Sequence, residues 1–246
     1  MCDHSLFIYS HQGITLYALV YVDDILVTGS SSTLIHKVIS KLHHEFALSQ
    51  LGRPEYFLNL EVIYQTNGSI ILTQTKYIRD LLSRVNMEEA NGVTAPIFIH
   101  CKLSRFGTDI MEDPLLYRYF VGALQYITLT RPNIAYCINK ACQFIANPLD
   151  SHWSMVKRIL RYLIGTASFG LKLSPANLNQ DLSIRAYSDS DWANDPDDRR
   201  STSGTCIFFG PNLISWSSKK QSLVDRSSAE AEYIALAHTT TELLWL

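Results

Sequence analysis

The sequence has no paired cysteine motif, no dominant charge sign and no apolar run of membrane-spanning length, and each absence closes a class of explanation. Its five cysteines, Cys2, Cys101, Cys137, Cys142 and Cys206, are odd in number and scattered without a C-x-x-C pair. That pattern argues against both a disulfide framework and a zinc site. Lysine and arginine total 21 against 23 for aspartate and glutamate, so the net charge of -2 creates no chain-wide positive field for nucleic acid or an acidic membrane. Any nucleic-acid site must rest on local patches. The run LYALVYV is cut by Asp23 well short of the roughly 20 apolar residues of a membrane span, and no basic-then-apolar leader opens the chain. A soluble, intracellular, cytoplasmic protein with no membrane partner is the default expectation. The eight histidines include His43-His44 followed by Glu45 but form no H-E-x-x-H, which leaves them to surface or core roles.

What is present suits one or two globular domains: 246 residues, 47% hydrophobic and 18% charged. Residues 14–29 are dense in Ile, Leu, Val and Tyr with Asp23-Asp24 the only interruption, which predicts two strands joined at that dipeptide. Both faces of this hairpin are apolar, which predicts a central pair covered by helices. Ser31 and Ser32 precede Leu34, Ile35, Val38, Ile39, Leu42 and Phe46 at helical spacing, and Gly52 and Pro54 follow. Segments 56–64 and 69–73 flank Asn67-Gly68, a strong hairpin signal. Helical patterns then cover 77–85, 116–128, 134–146 and 153–163. The polar stretch SPANLNQD at 174–181 marks a boundary, after which strands at 182–188, 205–209 and 213–217 precede a last helix from near Ser227. Its S-x-x-E start predicts a capping box in which Glu230 returns to the Ser227 amide. The four tryptophans, Trp153, Trp192, Trp216 and Trp245, read as packing residues.

The stretch YVDDILVTG at 21–29 breaks a local preference, because a two-residue hairpin turn wants Gly or Asn at positive φ and Asp is only tolerated there. Two carboxylates about 4 Å apart repel by roughly 1 kcal/mol in water and about 4 at an effective dielectric of 20. A hard cation such as Mg²⁺ reverses that sign, the protein giving one or two oxygens and substrate phosphates the rest. An ordinary exposed acidic turn is the competing reading of this stretch alone.

YVDD after an apolar strand resembles the metal-binding hairpin of the reverse transcriptase palm, and other motifs extend the resemblance to copia-type retrotransposon polyproteins. DHSLF at 3–7, LGRPEYFLNLEV at 51–62, LTQTKYIRDLL at 72–82, VGALQYITLTRPNIAY at 121–136 and LRYLIGT at 160–166 look like the family's palm, thumb and connection. YSDSDWAND, DRRSTSG, ISWSSKKQ and RSSAEAEYIAL resemble its ribonuclease H domain. The fold implied is α+β: a partial palm hairpin with helical thumb and connection over 1–173, a linker at 174–181, and a truncated ribonuclease H-like α/β domain over 182–246.

By this resemblance Asp23 and Asp24 hold catalytic Mg²⁺ or Mn²⁺, and Tyr21 and Val22 shape the primer-terminus side. The chemistry implied is two-metal nucleotidyl transfer on an RNA template and DNA primer. Asn59 stands where the family usually has glycine. In the second domain Asp189 closes an alternating strand and matches the first ribonuclease H carboxylate, with Asp191 two residues on along the same face. Periodicity does not choose between Glu230 and Glu232, which flank an Ala229, Tyr233, Leu236 stripe. Capping leaves Glu232 free, and AEYIAL at 231–236 resembles the catalytic glutamate segment. Asp189 and Glu232 are thus the implied metal ligands for hydrolysis of an RNA/DNA hybrid. Lys157 and Arg161, one helical turn apart and opposite an apolar face, are candidate phosphate contacts. Arg199, Arg200, Lys219 and Lys220 form further basic segments.

A remaining palm aspartate has no counterpart here, since Asp3 falls in a connecting segment, and two further ribonuclease H aspartates would lie beyond Leu246. Glu242 shares a helix with Glu232 and substitutes poorly. Both sites are therefore expected to be incomplete, and the isolated chain inactive without other Pol segments. The alternative is a noncatalytic remnant that at most binds nucleic acid. An unrelated metal or interaction protein would leave the ordered motifs to chance.

Overall fold

A computed structural model describes residues 5–46, 48–98, 103–175 and 182–246. The fold is α+β, with helices and antiparallel sheets. It divides into two compact units, Met1–Leu58 and Asn59–Leu246. The boundary expected at 174–181 falls inside the second unit, and 176–181 lie outside the described residues. Among the described residues no helix is long and apolar enough to cross a membrane.

In the first unit, β1 (Leu6–His11), β2 (Ile14–Tyr21) and β3 (Asp24–Gly29) form an antiparallel sheet in that order. Gln12 and Gly13 turn β1 into β2 with φ of 49° and 77°, the paired positive values of a tight hairpin turn. The pair expected from the sequence is thus three strands, and its expected helical cover is corrected as well. Every residue of β1 is exposed, and Leu16 is the one buried hydrophobic side chain among the unit's described residues. Helix α1 (Ser32–Phe46) packs on β3 but buries none of its residues. Its start agrees with the sequence: Ser31 Oγ accepts from the Leu34 amide at 3.4 Å. A short strand β4 (Tyr56–Phe57) ends the unit.

The second unit has the larger core. Strands β5 (Leu60–Tyr64) and β6 (Ile70–Thr73) form the expected hairpin, with Gly68 at φ 81° and the Ser69 amide donating to Asn67 Oδ1 at 3.0 Å. A strand without a sequence signal, β7 (Leu171–Leu173), pairs with β6. Gly170 admits it, since a Cβ there would lie 2.2 Å from the Leu72 carbonyl oxygen. Helices α2 (Thr75–Ser83), α3 (Pro114–Ile127), α4 (Ala135–Cys142) and α5 (Asp150–Gly165) bury one cluster. Ile78, Leu81, Phe120, Leu124, Ile138, Val156 and Leu160 belong to it, recurring at the i, i+3, i+4 spacing that lines one helix face. The expected 134–146 helix is shorter. Its end tightens into i+3 bonds, with Phe144 donating to the Ala141 carbonyl at 3.1 Å.

The last sheet has the order β10-β9-β8, from β8 (Ile184–Asp191), β9 (Thr202–Phe209) and β10 (Asn212–Lys220). Helix α6 (Ser228–Trp245) covers one face and α4 meets the other. The expected Ala229, Tyr233, Leu236 stripe is corrected: α6 buries Ala231, Ala235 and Thr239, while Tyr233 is 72% exposed. Small side chains at i, i+4, i+8 let the helix approach a serine- and threonine-lined sheet, where Thr205 and Thr239 hydroxyls meet at 2.8 Å. The capping box is corrected too. Ser227 Oγ accepts from the Glu230 amide, but Glu230 accepts from the Arg226 amide at 2.7 Å rather than from Ser227. Trp216 ties this sheet to the helical core, its indole N–H donating to the Thr128 carbonyl at 3.1 Å. Trp245 departs from the packing expected of it and is 77% exposed.

Candidate functional site

Strands β2 and β3 pair through Tyr21 and Asp24, so the turn residues are Val22 and Asp23. The strands are therefore joined at Val22-Asp23, one residue earlier than the sequence suggested, and Asp24 is already the first residue of β3. Positive φ falls on Val22, at 50°, rather than on an aspartate. A β-branched residue in the left-handed region costs roughly 1–3 kcal/mol and persists only where neighbouring structure imposes it. Here the registers on both sides of the turn impose it. The strain sits beside the two carboxylates. Asp23, Asp24 and Tyr21 are all exposed.

Asp23 and Asp24 line a groove of about 1310 Å³. Its walls are β3, the His36, Ile39, Ser40 and His43 face of α1, and the segment 48–57 with Arg53 and Glu55. His43 Nδ1 meets the Leu48 carbonyl and helps hold that segment against α1. Two adjacent hard oxygen donors, one in the turn and one at the start of a paired strand, suit a divalent cation that takes its other ligands from phosphate and water. Among the described residues no group of three or more His, Cys, Asp or Glu side chains could hold a metal ion by itself. Asn59 has φ of 56°, a region glycine favours and asparagine tolerates best among other residues. Asparagine is thus compatible with the backbone at this position.

Asp189 and Asp191 share a face of β8, as the alternation predicts, but that face is turned from α6. Tyr136 of α4 donates to Asp191 Oδ2 at 3.3 Å, which places the odd-numbered residues of β8 on the α4 side. On the α6 side, the Gln221 amide donates to Ser190 Oγ at 3.2 Å and to the Ala231 carbonyl at 3.0 Å. Asp189 and Glu232 are both exposed, on elements packed together, with β8 at the edge of its sheet. Asp191 is committed to structure, accepting also from the Asn194 amide at 2.8 Å and the Thr202 backbone N–H. Burial and the neighbouring Asp191 charge push the Tyr136 hydroxyl up to about 12.

Lys157 is exposed on α5, opposite its buried face. Arg161 has a structural duty, Nε donating to the Asn91 carbonyl at 2.8 Å. Lys220 is no surface cation: it donates to Asp195 at 2.7 Å and Asp198 at 2.8 Å. Lys140 of α4 approaches the same Asp195 carboxylate at 3.4 Å. Sequence reading missed this cluster, whose members lie far apart along the chain and follow no local period.

A sequence profile described as "Reverse transcriptase (RNA-dependent DNA polymerase)" matches residues 2–99. The Retrovirus-related Pol polyprotein from transposon RE1 of Arabidopsis thaliana is 45% identical over 244 residues, covering 99% of this chain and 16% of its own length. That from transposon RE2 of the same plant is 43% identical over 244 residues, with the same coverage of 99% and 16%. An uncharacterized mitochondrial protein of Arabidopsis thaliana is 43% identical over 230 residues, 94% of each chain. The chain thus spans about one sixth of the length of the two polyproteins, 16% in each case. No solved structure matches it at a significant level.

Proposed function

The chain belongs to the copia-type retrovirus-related Pol polyproteins of transposons, and on that premise we propose that it contributes part of an RNA-directed DNA polymerase with an attached ribonuclease H. In this reading residues 1–173 are palm, thumb and connection, 174–181 a linker, and 182–246 a truncated ribonuclease H-like domain. The partners are an RNA template, a DNA primer and their hybrid, together with the remaining Pol segments.

Chief support comes from Asp23 and Asp24 lining one groove at a strained turn. These two side chains would hold Mg²⁺ or Mn²⁺. Such a cation, when bound, lowers the pKa of a primer 3′-hydroxyl and neutralises leaving pyrophosphate. The chain's own work is positional. The paired strands fix both carboxylates, Tyr21 stands beside them toward the primer terminus, and Lys157 and Arg161 offer cations to phosphate on α5. Asp189 and Glu232 are the residues that the resemblance assigns to hydrolysis. As two carboxylates of a larger set, they would hold Mg²⁺ or Mn²⁺ together with other Pol segments, so no hydrolytic step is derived from these two alone.

A second reading is a noncatalytic remnant that at most binds nucleic acid, since among the described residues no group of three or more His, Cys, Asp or Glu side chains could hold a metal ion by itself. Mn²⁺ titration of the full chain, followed by electron paramagnetic resonance, tests the hairpin directly. One class of bound Mn²⁺ is expected to disappear in the Asp23→Ala, Asp24→Ala double variant and to persist in Asp189→Asn. Equal Mn²⁺ binding by the natural chain and the double variant would sink the assignment.

A further inference from the structure

The N-cap residue of helix α5, Leu149, has no polar side chain to cap it. The amides of its first turn are held by the segment 103–111, which runs beside it. Asp109 accepts from the Asp150 amide through its carbonyl at 2.8 Å and from the Ser151 amide through Oδ2 at 3.1 Å. Ile110 bridges Leu149, and the Met111 amide donates to the Pro148 carbonyl at 3.2 Å. The other fastening is His152, which is fully buried and stacked on Phe144 at 3.7 Å. Its Nδ1 accepts from the Leu149 amide at 3.0 Å, so that nitrogen carries no proton. Its Nε2–H therefore donates to the Ser104 carbonyl at 2.9 Å. Both ring nitrogens are used, and only the neutral ring with its proton on Nε2 satisfies both partners.

We propose that segment 103–111 is an acid-released strap: neutral His152 pins it to the start of α5, and uptake of a solvent proton at Nδ1 sets N–H against the Leu149 N–H and frees it. The device acts at the helix that carries Lys157 and Arg161, but it does not depend on the function proposed for them. The charged groups facing the ring are Asp109 on the strap and Asp197 on the neighbouring loop, where Asp197 also accepts from the Ser104 hydroxyl at 2.5 Å and the Arg105 amide at 2.7 Å. Phe144 presents no charge. Burial depresses the His152 pKa, and the Ser104 bond and the two carboxylates only partly oppose it. A depressed histidine pKa means that the closed strap is fully stable above the ordinary value of about 6.5 and loses stability as pH falls toward the folded-state value.

Amide hydrogen exchange of the full chain at high dilution, corrected for intrinsic rates, tests this between pH 7.5 and pH 4. Protection of 103–111 and of Leu149–Ser151 is expected to fall by up to about tenfold per pH unit from about pH 6.5 down to the folded-state His152 pKa and to level off below it, while 117–127 stays protected. His152→Gln, whose amide can accept and donate without titrating, is expected to remove the pH dependence. If that variant does not fold, NMR titration of the His152 ring in the natural chain decides, because ring protonation and strap release must coincide. The proposal is overturned if the strap stays protected while His152 titrates, if it opens with His152 still neutral, if 117–127 opens with it, or if a folded His152→Gln chain keeps the transition.

Discussion

Replacing Arg131 by alanine is expected to destabilise the second unit by about 3–5 kcal/mol, because buried neutral oxygens lose their donors at roughly 1–3 kcal/mol each. Arg131 is 1% exposed, and among the described residues no carboxylate pairs with it. It donates instead to neutral oxygens: the Thr166 carbonyl at 2.8 Å, Thr166 Oγ1 at 2.8 Å and Asn133 Oδ1 at 3.1 Å. The Tyr162 and Phe169 rings each stand 5.6 Å from its guanidinium carbon. Thr166 is the C-cap of α5, so the cation also meets the negative end of that helix dipole. Burial lowers the Arg131 pKa and Tyr162 raises it in part. Arg131→Lys keeps the charge but not the planar fork, and is expected to lose about 2 kcal/mol or more. Urea unfolding followed by tryptophan fluorescence measures both. A loss below about 1 kcal/mol for Arg131→Ala would place the network outside the determinants of stability.

Removing Asp195 is expected to cost about the same, roughly 3–5 kcal/mol, because Lys140 and Lys220 would be left charged in the interior. Burial opposes the Asp195 charge, but the Lys220 bond, the Asp197 amide and Lys140 outweigh it and hold the carboxyl well below the usual carboxylate range. The sign follows from that depression. Its contribution is fully present above about pH 3.9 and is lost as pH falls further. Asp195 therefore contributes no loss of stability between pH 6.5 and 4. Asp195→Ala combined with Lys140→Met should recover part of the loss, since one uncompensated charge goes with its partner. Urea midpoints of the two single variants and the double variant give the coupling. Strict additivity would mean that Lys140 and Asp195 do not interact.

Local signals carried most elements. Helices α1, α2, α3 and α5 follow apolar spacing, and Asn67-Gly68 marks its hairpin because only certain residues accept that turn. Strand β1 was not legible: its apolar residues alternate with nothing, since the whole strand is exposed. Strand β7 is three residues long and depends on Gly170 meeting β6. The buried face of α6 escaped because Ala231, Ala235 and Thr239 carry it, while the large apolar residues that usually signal burial point outward. At the hairpin the acidic pair was visible, but its offset by one residue was not, because register rather than composition puts Val22 at positive φ. Asp189 and Glu232 were readable as a motif. How the two sit relative to one another was not, since it depends on which face of β8 receives α6.

RNA-templated primer extension in Mg²⁺ or Mn²⁺ is the most direct measurement, made on the 246-residue chain and on the transposon RE1 polyprotein with this chain in place of its matching segment, called the joined chain. The isolated chain is expected to extend no primer, and the joined chain to extend it in a manner that Asp23→Ala abolishes. Extension by the isolated chain, or extension by the joined chain that survives Asp23→Ala, would contradict the assignment of Asp23 and Asp24 as part of a polymerase metal site.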